Sequence, residues 1–301
     1  MPPIDRLDAV LARFSVRAQQ FHVGPLCEAR RFEAQPGRGF LHILRSGTLL
    51  VDDGGRPSRR RLAEPTLLFY PRPHEHVFHA RPEDGVSLAC ASLEFDGGAG
   101  HPLVRALPDT VTVPVARIRG LDRSLELLFA EIDEFRCGHR HIVDRLFEIA
   151  LLKLLRWLLD HSDETGVPKG LITGLADPGI AAALAAVHED PGRAWTIESL
   201  ARSASMSRSA FAARFRELLG TTPHDYLTAW RMTLAQRMLR DGLPVSHVAA
   251  ELGYTSSSFS RAFAQRQGCA PRAWAERQGA ADSLKPRQSR GAEASAPPAD
   301  P

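Results

Sequence analysis

Two groups of side chains in this sequence could do chemistry. The first is a set of metal-ligand or hydrogen-bonding groups: His42, then His74, His76 and His79 in one short run, with the thiols of Cys27 and Cys90. Imidazole and thiolate are common zinc ligands, and residues two apart on a strand point to the same side. The spacing leaves such a site incomplete: His42 has Leu44 two positions on, and Cys27, Cys90, Cys137 and Cys269 form no Cys-x-x-Cys pair. Scattered cysteines of this kind suit a reducing compartment. The second group is Arg208, Ser209, Ala212, Ala213 and Arg216, then Ser256, Ser257, Ser260 and Arg261. A guanidinium reaches a guanine edge in the DNA major groove or neutralises a phosphate, so this group points to nucleic acid.

The second group needs helices to present it, and the segment from Thr196 to Pro271 supplies them twice. Ala201 and Ala249, Phe211 and Phe259, Phe215 and Phe263, Gly220 and Gly268, and Pro223 and Pro271 are matched pairs at one separation of 48 residues (249 − 201 and 271 − 223). Each copy reads as a helix opening at Thr196 or Ser246, a small-residue turn at Ala204-Ser205 or Leu252-Gly253, and a second helix with Phe-x-x-x-Phe before a Gly stop. On the helical period Phe211, Phe215 and Leu218 face a core, while Ser209, Ala212, Ala213 and Arg216 face outward; copy two turns Ser257, Ser260 and Arg261 outward. Ser207 and Thr255 stand at the N-cap positions. One such pair is also what a small helical bundle would show. Two at equal spacing suit successive major grooves, about 34 Å apart, with a helix over 225–240 fixing their separation. Arginines outnumber acidic residues across this segment, which attracts phosphates.

These residues carry a resemblance. Trp195-Thr196-Ile197-Glu198-Ser199-Leu200-Ala201, Met206-Ser207-Arg208-Ser209-Ala210-Phe211, Gly220-Thr221-Thr222-Pro223, Tyr226-Leu227, Trp230-Arg231-Met232, Gly253-Tyr254 and Phe259-Ser260-Arg261-Ala262-Phe263 are similar to the AraC/XylS family of bacterial transcription regulators, over about 178–276. The resemblance implies a double helix-turn-helix domain on double-stranded promoter DNA, and an activator that contacts RNA polymerase. In one place the spacing departs: four residues separate Tyr254 from Phe259 where the family usually has five, which bears on where the second reading helix begins and on its base contacts.

Upstream the grammar is that of short strands. Apolar runs at 21–32, 39–44, 48–52, 66–70, 76–80 and 86–95 are separated by turn signals at Pro36-Gly37, Asp53-Gly54-Gly55 and Pro71-Arg72-Pro73, which indicates a small antiparallel barrel or jelly roll. The segment around His42 and the run Leu67 to His76 resemble the cupin-type sensor domain that precedes many such DNA-binding modules, over about 15–95. The resemblance implies an effector pocket at His42, His76 and His79 for a small molecule. A cupin metal site takes an H-x-H pair, a Glu and a further His; here Leu44 breaks the pair and Pro73 replaces the usual Gly, so no metal, cofactor or catalytic residue is expected. Cys27 and Cys90, both in predicted strands, are either a redox pair or buried small hydrophobes.

A short amphipathic helix is expected over 4–14. Leu121, Leu125, Leu128, Ile132 and Phe135 make a helical stripe, Cys137-Gly138 breaks it, and Ile142, Leu146, Ile149, Leu152 to Leu155, Leu158 and Leu159 make a broader one. Its breadth suggests a helix pair that covers the barrel and also joins a homodimer. Asp177-Pro178 reads as a cap and first helical residue.

The resulting expectation is an α+β chain: a cupin-like sensor barrel at 1–118, a helical dimerisation segment at 119–162, a linker at 163–177, an all-α double helix-turn-helix domain at 178–276 and a disordered tail at 280–301. With 44% hydrophobic residues, a formal charge of +3 and no membrane-length apolar run, it is expected to be cytoplasmic. The function expected is a sequence-specific transcription regulator and no enzyme. The alternatives are a cupin metalloenzyme carrying a DNA-binding module, and an architectural DNA-binding protein without an effector.

Overall fold

The computed structural model describes residues 5–54 and 59–283, in two compact units that divide after Trp230. The first unit opens on α1 (Asp8–Leu11), a single turn where a helix over 4–14 was expected. Ile4 lies outside the described residues, but Leu7, Val10 and Phe14 are buried as their spacing requires.

The strands are β1 (Val16–Pro25), β2 (Arg30–Phe32), β3 (Arg38–Ser46), β4 (Leu49–Asp52), β5 (Arg60–Leu62), β6 (Thr66–Tyr70), β7 (His76–His79) and β8 (Ser87–Phe95); α2 (Pro102–Ala106) and β9 (Val111–Pro114) follow. They form two antiparallel sheets, β1-β8-β3-β6-β9 and β2-β7-β4-β5. Of the two forms expected, barrel or jelly roll, the strands show the two-sheet arrangement. Among the described residues no ladder joins the sheets, whose inner faces meet instead through Phe40, Leu44, Leu68, Tyr70 and Cys90 on one side and Phe32, Val51 and Phe78 on the other. Leu41, Ile43, Leu67 and Phe69 point the other way and are also fully buried. This is why β3 and β6 read as continuous apolar runs, since both faces of their sheet are covered.

Two helices follow, α3 (Leu121–Asp133) and α4 (His139–Asp160), with the break at Gly138, whose φ of 86° suits glycine. α4 closes the outer edge of β1: the Asp144 carboxylate accepts from the Gln20 N–H at 2.7 Å and Glu148 from the Ala18 N–H at 3.2 Å. One helical turn separates these carboxylates, matching alternate residues of the edge strand, whose free donors would otherwise invite pairing with another chain. The broad leucine stripe lies mostly inside. Leu151, Leu154, Leu155, Leu158 and Leu159 are buried, Leu158 completely, and only Ile142, Ile149 and Leu152 of α4 remain exposed, with Leu127 and Phe135 before them.

The expected linker at 163–177 contains a packed helix, α5 (Leu171–Ala176), with Leu171, Ile172 and Leu175 buried. A Cβ on Gly174 would come within 2.8 Å of Leu219 and 2.9 Å of Leu184, so any larger residue at this turn would have to push those side chains aside. α6 (Pro178–Glu189) starts as expected: the Asp177 carboxylate accepts from the Gly179 and Ile180 N–H groups at 3.1 and 3.0 Å, and Pro178 occupies the first turn. α7 (Ile197–Ser203), α8 (Arg208–Leu219) and the first part of α9 (Pro223–Arg240) complete the first unit.

The second unit holds the end of α9, then α10 (Val245–Glu251), α11 (Ser256–Gln267) and α12 (Pro271–Ser283). Helix α12 runs into the stretch expected as a disordered tail; residues 284–301 of that tail lie outside the described residues. Among the described residues no helix is long and apolar enough to cross a membrane.

Candidate nucleic-acid interface

In the first helix pair the chain enters α7 through a reciprocal cap: Thr196 Oγ1 accepts from the Ser199 N–H at 3.2 Å and Ser199 Oγ from the Thr196 N–H at 3.0 Å. The turn passes through Ser205 at φ 55°, the one non-glycine in the left-handed region among the described residues, and closes with the Met206 N–H on the Ala201 carbonyl at 2.9 Å. Ser207 Oγ then caps α8, accepting from the Ala210 N–H at 3.3 Å. Phe211, Phe215 and Leu219 are buried; Leu219 takes the core place expected for Leu218, which is only half-buried. Arg208, Ser209, Ala213 and Arg216 are exposed and Ala212 is half-buried. Arg208 pairs with Glu198 at 3.1 Å, whereas the Arg216 guanidinium has no partner among the described residues.

The second pair repeats this geometry. α10 begins one residue before the expected Ser246, with Pro244 at its N-cap and hence no side-chain cap. Thr255 Oγ1 caps α11 by accepting from the Ser258 N–H at 3.2 Å, and Phe259 and Phe263 are fully buried with ring centroids 5.6 Å apart. The short spacing after Tyr254 does not displace the helix start: Thr255 stands four residues before Phe259, as Ser207 stands four before Phe211. Ser256, Ser257 and Arg261 are exposed, Ser260 is half-buried, and the Arg261 side chain has no partner among the described residues.

Of the three histidines expected to line a pocket, the structure brings two together. His42 and His76 are buried between the sheets with their Nε2 atoms 2.9 Å apart, walled by Phe32, Phe40, Phe78 and Tyr70. Burial lowers the pKa of His42 well below the usual imidazole value and that of His76 to about 4. Both rings are then neutral, and one N–H donates to the other ring's bare nitrogen. His79 lies on the opposite, half-buried side of β7 and joins neither. Tyr70 backs the pair, its hydroxyl donating to Asp53 at 2.6 Å, and Arg60 holds Asp53 at 2.5 Å. Cys90 is fully buried in register between His42 on β3 and His22 on β1, with its thiol pKa pushed up by burial. Cys27, expected in a strand, is exposed in the connection after β1; both thiols are free and the structure does not bring them together.

Among the described residues no group of three or more His, Cys, Asp or Glu side chains converges as a metal site requires. Reading the sequence missed His22, which is half-buried and lies 2.8 Å from the Arg30 guanidinium, and the fully buried His101 and His188; none has a neighbouring histidine at a spacing that would flag it.

A cupin family model matches residues 5–160 and a helix-turn-helix domain model matches residues 200–277. A Streptomyces lividans protein described as an AraC-like transcription regulator is 34% identical over 270 residues, covering 81% of this chain and 88% of its own. A Streptomyces antibioticus protein of the same description is 32% identical, covering 67% of each chain. The RCS-specific HTH-type transcriptional activator RclR of Escherichia coli is 41% identical over 122 residues, covering 40% of this chain and 42% of its own. These relatives are regulators, not enzymes.

Proposed function

The chain belongs to the AraC/XylS-type helix-turn-helix transcription regulators that carry an N-terminal cupin-like domain, and from that premise we propose that it regulates promoters through two reading helices, α8 and α11. The observation that carries this reading is the repetition of a capped, outward-facing helix at a fixed offset, 256 − 208 and 267 − 219 both giving 48. A single bundle has no use for that repeat, whereas successive major grooves do. In this reading Arg208, Ser209, Ala212, Ala213 and Arg216 contact one groove and Ser256, Ser257, Ser260 and Arg261 the next. The residues at 178–276 form the double helix-turn-helix domain.

The cupin-like half senses a small effector near His42 and His76, where the Nδ1 atom of His42 is buried without a hydrogen-bond partner among the described residues. Two copies associate through the exposed apolar residues Ile142, Ile149 and Leu152 of α4, and RNA polymerase is the partner at the promoter. Activation is favoured over repression by the likeness to an E. coli protein described as an activator.

Genomic footprinting with the purified full chain tests the core of the reading. The expected result is protection of defined sites as two adjacent major-groove segments, with affinity falling steeply as salt rises because arginines displace phosphate counterions. Binding without site preference would leave the family's fold and remove this function.

A further inference from the structure

We infer that the N-terminal half of the chain positions α8 through a buried row of aromatic rings, so that residues well away from the outward face of α8 act as positioning residues for what that helix reads; the inference rests on reading α8 as a DNA-contacting helix. The row starts in the first sheet. Phe95, at the end of β8, meets the His101 ring edge-on at 5.1 Å, and His101 meets Phe14 at 5.6 Å. The Nδ1 of His101 accepts from the Leu103 N–H at 3.1 Å, which leaves Nε2–H to donate to the Phe14 carbonyl at 3.3 Å.

Phe14 then packs edge-on against Trp230 of α9 at 5.4 Å, and Trp230 lies 4.0 Å from His188 of α6. The Nε2 of His188 is 2.7 Å from the Tyr226 hydroxyl, and Tyr226 stands edge-on to Phe215 at 5.7 Å. Phe215 packs on Phe211, so the row ends in the buried face of α8 itself. Phe14, His101, His188, Trp230 and Phe215 are each less than one-twentieth exposed.

Polar contacts fix the same joint from the side. Arg13 donates to the Glu189 carbonyl at 2.7 Å and Arg6 to the Leu175 carbonyl at 3.0 Å, each a cation at a helix C-terminus, where the helix dipole favours it. The Thr173 hydroxyl and the Gly170 N–H both donate to the Leu218 carbonyl, at 2.8 and 3.0 Å, which holds the last turn of α8.

Two buried ring atoms in the row, Trp230 Nε1 and His188 Nδ1, have no hydrogen-bond partner among the described residues. Unsatisfied groups weaken a joint relative to an apolar one, and directional polar contacts select one arrangement over its near neighbours. Simple core packing needs neither. A joint that holds α8 in one orientation, at less than the strength of a core, accounts for both.

The test uses the full chain and two variants, Phe14→Ala and Tyr226→Phe, the second a minimal change should the first fail to fold. Hydrogen exchange is followed for 208–219 and for 256–267, and base preference is read by selection from randomised duplex DNA. Tyr226→Phe strands His188 Nε2 in the interior, so exchange of the 208–219 amides should quicken roughly ten- to a hundredfold, with 256–267 unchanged. Base preference should relax only at the positions read by α8. Exchange that quickens equally in both segments, or in neither, overturns the inference, as does faster exchange in 208–219 with base preference intact. If the unaltered chain selects no sequence at all, the DNA-reading proposal fails, while the exchange data still report whether the row holds α8.

Discussion

The two helix pairs are the same unit built into different surroundings. α7 and α10, and α8 and α11, have bounds separated by 48 residues (245 − 197 and 256 − 208), and Gly220 and Gly268 end the second helices at φ 72° in both. The aromatic behind each core also repeats: Phe215 meets Tyr226 edge-on at 5.7 Å and Phe263 meets Trp274 edge-on at 5.8 Å. The differences lie at the edges. Copy one enters through a reciprocal Thr196–Ser199 cap and turns at Ser205; copy two enters at Pro244 and turns at Gly253. Copy one belongs to the same compact unit as the sheets, whereas copy two lies in a unit of its own. What the copies share is what a helix-turn-helix core needs, and what they do not share is what each is fastened to.

Truncating the shared core gives the largest effect. Phe215→Ala and Phe263→Ala each remove a buried ring and should each destabilise their own unit by about 3 to 5 kcal/mol. The comparison makes the two losses differ in extent. Phe215→Ala should lower the melting transition of the sheets along with that of α7 and α8, while Phe263→Ala should melt residues 231–283 and leave the sheets alone. Calorimetry with residue-resolved hydrogen exchange separates the cases, and identical melting behaviour in the two variants would erase the distinction drawn between the copies.

Acid should separate the units as well. His76 and His101 are held neutral by burial with pKa values of about 4, and His188 with a value of about 3. An unfolded imidazole binds its proton below about 6.5. Between pH 6.5 and 4 the unfolded chain therefore binds more protons than the folded one, and the stability of the first unit falls as pH is lowered through that window. The loss is on the order of 3 kcal/mol per buried imidazole. The second unit has one histidine among its described residues, His247, which is exposed. Its melting temperature should change less over the same range, and equal acid sensitivity of the units would count against the buried imidazoles as the cause.

The residues proposed to read DNA come next in size. Arg216→Ala and Arg261→Ala should each weaken binding to the preferred site by about 1 to 3 kcal/mol and relax preference at different base positions, because each guanidinium stands on a different copy. Arg237, on α9 and 3.8 Å from Asp241, should weaken all sequences alike when replaced by alanine. A logo unchanged by Arg261→Ala would remove α11 from the reading pair.

Much of this molecule was legible in the sequence because short-range rules govern it. The caps at Ser207, Thr255 and Asp177, the Gly stops and the Phe-x-x-x-Phe faces are decided within a few residues, and the structure has them where the spacing put them. The outward residues of both second helices follow from the same period. Long-range pairing was not legible. Whether strands close a barrel or lie in two sheets depends on ladders between residues far apart in sequence, and β5, three residues long, is too short to show alternation. The stretch at 163–177 has the composition of a linker, yet Leu171, Ile172 and Leu175 find partners in helices on both sides of it in sequence, which no local pattern reveals. In the same way His42 could be noticed, but its meeting with His76, and the absence of His79 from that pair, depend on how one sheet faces the other.

The smallest effect tests the turn, where Ser205 of copy one stands at the place of Gly253 in copy two. Ser205 has φ 55° and its counterpart Gly253 has φ 74°, so both turns use the left-handed region, but only copy two uses the residue without a Cβ. A left-handed serine is strained by about 1 kcal/mol or somewhat more relative to glycine. Glycine returns part of that through the greater freedom of its unfolded chain. The net gain from Ser205→Gly should be about 0.5 to 1 kcal/mol, and Gly253→Ser should lose a similar amount from the second unit. The two turns close with matching hydrogen bonds, Met206 N–H to Ala201 at 2.9 Å and Tyr254 N–H to Ala249 at 2.8 Å, so the backbone has no reason to change in either variant. Opposite shifts of comparable size in chemical denaturation would mean that the copies obey one backbone rule. Destabilisation by Ser205→Gly would instead mean that the serine side chain contributes at this turn more than its strain costs, and that copy one departs from copy two there for a reason beyond conformation.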